Sequence, residues 1–442
     1  MPTIDIKKKD LDGLIGKKLS LEALEKHLML AKAELKEYDA ATDGMKVELS
    51  DSNRPDLWSA EGVARQIRVY LAGKPEEQPF YRPGRKATRI IRVDRGLQKV
   101  RPYIAACTAQ GIRMDNDVLT QMIQSQDKLA EIFGRKRSTV SIGIYELDRI
   151  AFPVDYRLAG ADEVSFTPLG MEEKLTLGQI LEKHPKGIQY GGIVRSFPKY
   201  PVLTDSMGHV LSFPPIINST EIGEVKTSTR NVLVEVTGTD QRMVSLTLNI
   251  LATDLYDRGA DIDPVLVAYP YATELGKNVT FPIDTSSTIR LSHKRFSEAL
   301  GEEVPAADLK RRLAAYGHRV LPDTLPDFPG PLAGVLAALE TVLADWLLVV
   351  PCDTPHLPPD LATQLLDAAQ HQNVPLAVAA DATRIHHSCF IVRTDQRDNL
   401  AAFLARGERA VRHWQAALAS TTVLFDSACF ANFNQPQDLP RA

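Results

Sequence analysis

Lysine stops at Lys310. It is common before that point and absent from there to Ala442, where Ala, Leu, Pro and Arg dominate and six of the ten histidines lie. Such a step marks at least a domain boundary, and complete loss of a common residue type points to two sources joined. A length of 442 residues already implies more than one domain. Hydrophobic content of 44% with 24% charged residues is that of a soluble globular protein. The net charge of −4 means that nucleic-acid binding would rest on local basic patches. The start, MPTIDIKKKDLDGLIGKK, is too charged for a signal peptide. The longest apolar run, Trp346 to Val350, is far short of a membrane span and predicts a buried strand. Cys107, Cys352, Cys389 and Cys429 are widely spaced, suggesting neither a zinc site nor a disulfide framework, and so a reducing cytoplasm.

The stretch from Pro201 to Asp240 organises the first part. Val202-Leu203-Thr204-Asp205 and Val210-Leu211-Ser212-Phe213 flank a turn in which Gly208 can take positive φ. A symmetric hairpin pairs Asp205 with Val210, Thr204 with Leu211 and Leu203 with Ser212, placing Leu203 and Ser212 on one face. Asn231 to Thr237 alternates with period two, so Val232, Val234 and Val236 share one face and Leu233, Glu235 and Thr237 the other. Periodicity alone fits an edge strand with a solvated Glu and Thr. A lone carboxylate in so apolar a strand also suits a pocket wall.

Elsewhere the elements follow from capping and spacing. Ser20 opens a predicted helix carrying Leu21, Leu24, Leu28, Ala31 and Leu35, ending near Tyr38. Met45, Val47 and Leu49 alternate as a strand. Asn53-Arg54-Pro55-Asp56 turns into a helix led by Ser59 or Glu61, with Arg54 and Asp56 as structural partners. The basic run from Arg82 to Arg101 predicts a solvated face or linker, with phosphate contact as the lesser reading. A strand from Arg101-Pro102-Tyr103 to Ala106 and a helix from Asp117 to Phe133 come next. Arg135, Lys136 and Arg137 lie beyond that helix, where cations complement its dipole. Val244, Leu248, Leu251 and Leu255 mark a helix closed by Gly259, and Pro264 to Tyr269 a strand.

The segments NRPDLWSAEGVARQI, QMIQSQDKLAEIFGRKR, PPIINS and VTGTD resemble the amino-terminal and editing regions of the phenylalanyl-tRNA synthetase β subunit, in its archaeal and eukaryotic form. The resemblance implies hydrolysis of tyrosine wrongly esterified to phenylalanine tRNA, and it places the pocket on Leu203, Ser212, Glu235 and Thr237. With those flanking motifs, the pocket reading of Glu235 wins over the solvated strand. The resemblance also implies tRNA and the synthetase α subunit as partners, with Arg135, Lys136 and Arg137 facing tRNA phosphates. TIRLSHKRFSEALGEEVPAADLKRRLAAYGHRV resembles the small domain that comes after the editing domain in that family, with Ser292 capping a helix that bears Phe296 and Leu300.

From about Leu321, LPDTLPDFPGPLAGVLAALE, LLVVPCDTPHLPPDLA and ANFNQPQDL resemble the carboxyl-terminal two-thirds of molybdenum cofactor guanylyltransferase. Trp346 to Val350 reads as a central parallel strand delivering Asp353 at its carboxyl end, where ligands of open α/β sheets bind. The resemblance assigns Asp353 to Mg2+, Asp323, Gly330 and Gly334 to the guanine nucleotide, and Asn432 and Asn434 to the pterin. Gly330 and Gly334 bracket a predicted turn into a helix. The family's opening L-A-G-G loop, which cradles the triphosphate, occurs nowhere in this chain. Guanylyl transfer is therefore not expected.

The expected fold is multidomain, α/β and α+β: a mixed-sheet editing domain plus a truncated Rossmann-like nucleotidyltransferase block. Expected domains are 1–90 (N-terminal α+β), 91–285 (tRNA editing), 286–318 (small helical fragment) and 319–442 (truncated guanylyltransferase-like). The expected function is that of an editing aminoacyl-tRNA ester hydrolase of a class II synthetase. The alternatives are a guanylyltransferase acting on GTP and molybdopterin, and a hybrid without joint activity. No membrane partner is expected.

Overall fold

The computed structural model describes residues 2–50, 53–74, 76, 78–81, 85–285, 296–297, 301, 303–315, 331–342, 344–351, 354, 357–358 and 360–430. The chain divides into two compact units, one running to Thr285 and the other holding most of the chain beyond that residue.

The first unit opens with a three-stranded antiparallel sheet. Its strands are Thr3–Lys7 (β1), Ala33–Asp39 (β2) and Gly44–Leu49 (β3), in the order β1-β3-β2. Lys8–Ile15 (α1), Leu21–Leu28 (α2) and Ala60–Ala72 (α3) pack with it. Ser20 caps α2 by accepting from the Ala23 amide, as its sequence predicts. The helix does not reach Tyr38. It ends at Leu28, Lys32 turns left-handed at φ 49°, and Leu35 pairs in register with Val47. Ala33 and Leu35 complete the sheet, so tertiary pairing overrides a helical spacing carried by few residues. Ser59 caps α3 through the Gly62 amide, and Arg54 and Asp56 form a structural ion pair.

A ten-stranded mixed sheet fills the rest of this unit. Its strands are Arg89–Val93 (β4), Tyr103–Gln110 (β5), Val140–Glu146 (β6), Val154–Ala159 (β7), Tyr200–Thr204 (β10), Val210–Phe213 (β11), Ile217–Asn218 (β12), Val232–Gly238 (β13), Asp261–Ala268 (β14) and Asn278–Phe281 (β15). Ser165–Phe166 (β8) and Leu175–Thr176 (β9) form a separate ribbon. The path runs β12-β11-β10-β7-β4-β14-β5-β13-β6, with β15 beside β14. Asn116–Lys128 (α4), Leu177–Lys183 (α5), Pro185–Tyr190 (α6), Thr220–Gly223 (α7) and Gln241–Asp257 (α8) surround it. The predicted helix to Phe133 holds, but its last turn, Leu129–Phe133, widens to π geometry. The basic run is not a linker. Arg92 pairs with Asp155 and Arg85 with Asp263, while Arg101 is buried.

Two features position the site. Helix α8 covers one face of β13, since a Cβ at Gly238 would strike Val244, and Arg65 of α3 bridges Asp254 and Asp257 of α8. The sheet also curls until its ends meet: the Asn218 amide of β12 donates to the Ile144 carbonyl of β6.

The second unit contains Ala306–Ala315 (α9), Pro331–Leu339 (α10), Leu361–His371 (α11), Arg397–Ala405 (α12) and Val411–Ala416 (α13). Its sheet is Trp346–Val349 (β16), Leu376–Ala380 (β17), Ile385–Arg393 (β18) and Ser420–Leu424 (β19), ordered β16-β18-β17-β19. Helices α10, α12 and α13 pack on one core and α11 on a second, which gives helices on both faces. β16 is not the central parallel strand its apolar run predicts. It lies at the sheet edge, antiparallel to β18, and Leu348 is exposed. Among the described residues no strand neighbours it on that side, and the apolar run leaves both Leu348 and Val350 in water. Ser292, expected to cap a helix, and Leu300, expected on its inner face, lie outside the described residues.

Because the units close their cores separately, residues 1–285 made alone are expected to unfold in one cooperative transition. Calorimetry of that fragment beside the full chain checks this. A fragment without a cooperative transition would refute it.

Candidate functional site

The site is built on β13, buried on both faces between β5 and β6. The solvated-edge reading of Glu235 and Thr237 therefore fails, and the odd-numbered face looks into the concave side of the curled sheet. Glu235 stands opposite Ala106 on one side and Gly143 on the other, two residues that leave room for it. A Cβ at Gly143 would collide with the Glu235 carboxylate and the Tyr145 hydroxyl.

Tyr145 reaches over Gly143 from β6. Its Oη lies 2.8 Å from Glu235 Oε1 and 2.8 Å from Ser212 Oγ, so it donates to one and accepts from or shares with the other. Tyr145, Ser212 and Glu235 are all buried, and Glu235 Oε2 has no partner. Burial pushes the Glu235 carboxyl up to about 7, against the pull of the Tyr145 hydrogen bond and the Arg101 charge. Burial likewise raises the Tyr145 phenol well above its ordinary value.

Leu203 does pair with Ser212, as the hairpin predicts. Beyond that pair the symmetric register breaks, because Thr204 pairs with Val210 and Leu211 is the extra residue of a bulge. The cause is Asp205, whose carboxylate accepts from the Met207, His209 and Ala151 amides and fixes its own turn.

Thr237 faces a different partner. Arg101 Nε donates to Thr237 Oγ1 at 3.0 Å, and Nη2 donates to Thr237 O at 2.8 Å and Ser141 Oγ at 3.0 Å. Nη1 reaches the Ser138 carbonyl at 3.2 Å. Sequence reasoning missed both Arg101 and Tyr145. The Ser141, Gly143, Tyr145 face of β6 was a signal for the tyrosine; Arg101 had none, lying at the end of an ordinary basic run.

Arg135, Lys136 and Arg137 form a left-handed turn, with φ of 50°, 55° and 64°. Such residues cost about 1 kcal/mol each, and amides bonded back to Glu131 and Ala130 hold them. Arg135 and Lys136 are exposed. Arg137 turns inward, stacking on Tyr190 at 4.5 Å and donating to the Pro215 and Ile216 carbonyls.

In the second unit Gly334 lies within α10 and does not bracket a turn, since Pro331 already starts the helix. Asp323, Gly330, Asp353, Asn432 and Asn434 lie outside the described residues. Among the described residues no group of three or more His, Cys, Asp or Glu could hold a metal ion, and no helix is long and apolar enough to cross a membrane.

Comparison with known proteins separates the units. The family described as B3/4 domain matches residues 134–280, and that described as MobA-like NTP transferase domain matches 286–421. A solved N-terminal fragment of the phenylalanyl-tRNA synthetase β subunit from Pyrococcus horikoshii is 39% identical, with a TM-score of 0.67, over 71% of this chain and 89% of that one. Through its first unit, the chain belongs to the phenylalanyl-tRNA synthetase β-subunit family. The phenylalanine–tRNA ligase β subunit of Pyrococcus furiosus is 42% identical over 323 residues, 72% of this chain and 56% of the relative. That of Pyrococcus abyssi is 46% identical over 274 residues, 61% of this chain and 48% of the relative. The chain thus spans about half the length of these β subunits. It carries a MobA-like NTP transferase domain beyond the B3/4 match.

Proposed function

We propose that the first unit hydrolyses the ester of tyrosine wrongly attached to phenylalanine tRNA. The observation that carries this reading is Glu235: a buried carboxylate, already in contact with a phenol, with one oxygen lacking a partner. A tyrosine side chain can satisfy that oxygen. Phenylalanine would leave it desolvated and unpaired. Leu203, across from Ser212, supplies apolar surface for the ring, and Ser212, bonded to the same internal phenol as Glu235, lies at the hydroxyl end of the pocket. Thr237 acts at one remove, holding Arg101, whose charge steadies the carboxylate. Water adds to the ester carbonyl, and the ribose oxygen leaves with a proton as free tRNA. The exposed Arg135 and Lys136 meet tRNA phosphates, while Arg137 clasps the loop after β11. The synthetase α subunit is the proposed partner for aminoacylation.

The second unit is not assigned guanylyl transfer. Apart from Gly334, which lies inside α10, Mg2+ at Asp353 and contacts to GTP or molybdopterin rest on residues outside those described, and β16 lies at an edge with no strand beyond it among the described residues. The test is deacylation of tyrosyl- and phenylalanyl-tRNA by the purified full chain. The reading expects rapid release of tyrosine and little of phenylalanine; equal rates on both would sink it.

A further inference from the structure

Tyr145 is itself a phenol, and it sits where a phenol would be recognised. Its ring lies over Gly143, and its hydroxyl is 2.8 Å from both Ser212 Oγ and Glu235 Oε1. All three side chains are at most 2% exposed. The space above Gly143 is therefore shaped by a flat ring ending in one hydroxyl. We propose that Tyr145 is a specificity-determining residue whose phenol stands in for the substrate's, so that a tyrosyl ester enters by displacing it from Glu235 and Ser212. This rests on the hydrolytic reading above and concerns how that site selects phenols.

The exchange conserves hydrogen bonds for tyrosine alone. When the substrate phenol replaces the internal one, Glu235 and Ser212 each lose one hydroxyl contact and regain one. When phenylalanine enters, both are left buried without a partner, so its ester binds more weakly. Two further observations make the exchange feasible. Among the described residues β6 pairs only with β13, so Tyr145 stands on the end strand of the sheet path. Glu235 Oε2 is unpartnered, so the incoming hydroxyl has an acceptor before Tyr145 lets go.

The test uses the full chain. Tyr145→Ala is expected to lower Tm, and millimolar p-cresol to restore it by several degrees while toluene does not. Equal rescue by both compounds would show a cavity that reads shape alone and overturn the proposal. Tyr145→Phe keeps the ring but loses the hydroxyl. Its KM for tyrosyl-tRNA is expected to fall about fivefold, the weight of one net hydrogen bond, with a smaller change in kcat. A purely structural role predicts no fall in KM, and a raised KM would make Tyr145 a substrate contact; either refutes the exchange. Should Tyr145→Ala fail to fold, the KM of Tyr145→Phe decides. Should the native chain release no tyrosine, the hydrolytic reading fails by itself, and p-cresol against toluene still decides whether the cavity prefers phenols.

Discussion

Glu235→Ala is expected to erase the preference for tyrosyl over phenylalanyl ester, a change of up to ~10⁴-fold. The carboxylate is a buried charged acceptor that a phenol satisfies and a phenyl ring does not. The same group makes stability depend on pH. Its carboxyl titrates at about 7 in the folded protein against 4.5 as its ordinary value. Between those values the folded state holds the extra proton, so stability is highest below pH 4.5 and falls as pH rises through 7. The loss amounts to about 3 kcal/mol. Glu235→Gln keeps the shape and removes this part of the pH dependence. Thermal unfolding of native and Gln forms at pH 5 and pH 8 measures it; parallel curves would place Glu235 in a hydrated setting. A Glu235→Ala protein still selective for tyrosyl-tRNA would remove Glu235 from recognition.

Arg101→Met is expected to destabilise the protein by about 3 kcal/mol at neutral pH. Two effects oppose each other. Burial disfavours the guanidinium charge and lowers its pKa, so removing it relieves a desolvation penalty. Against that, the Thr237 and Ser138 carbonyls lose their guanidinium donor, while the Ser141 and Thr237 hydroxyls, 2.9 Å apart, can still pair with each other. Orphaned carbonyls and a poorer fit outweigh the relief. The substitution also deletes the positive charge nearest Glu235 in effect, so the carboxyl should titrate above its native value. Chemical denaturation gives the first quantity, and the pH dependence of stability the second. An Arg101→Met protein as stable as the native one would mean that desolvation wins.

The sequence made the site half legible. Leu203 and Ser212 could be paired because the turn between them is short. Thr204 and Leu211 could not, since one side chain, Asp205, decides the register. Glu235 stood out as a charge among valines, and its strand was found, but its burial on both faces depends on α8 and on the sheet's curl. Tyr145 gave little warning because tyrosine is ordinary in strands. Leu35 was misplaced because its strand exists only once β3 offers a partner. For β16 the apolar run was real, and what differed was its neighbourhood.

The meeting of the sheet's two ends has a consequence for the order of folding. β6 and the β11–β12 end are joined by side chains and not by a ladder: Tyr145 to Ser212, Asn218 to the Ile144 carbonyl, and Arg137 to the Pro215 carbonyl. Each contact closes a long loop of chain, so it carries a large entropic cost and gains little before the strands on both sides are in place. The hairpin of β10 and β11, by contrast, closes locally. The seam therefore assembles late, and the phenol-reading cluster is completed only when the sheet has wrapped around. A newly made chain would acquire its secondary structure well before it could tell one aromatic amino acid from another.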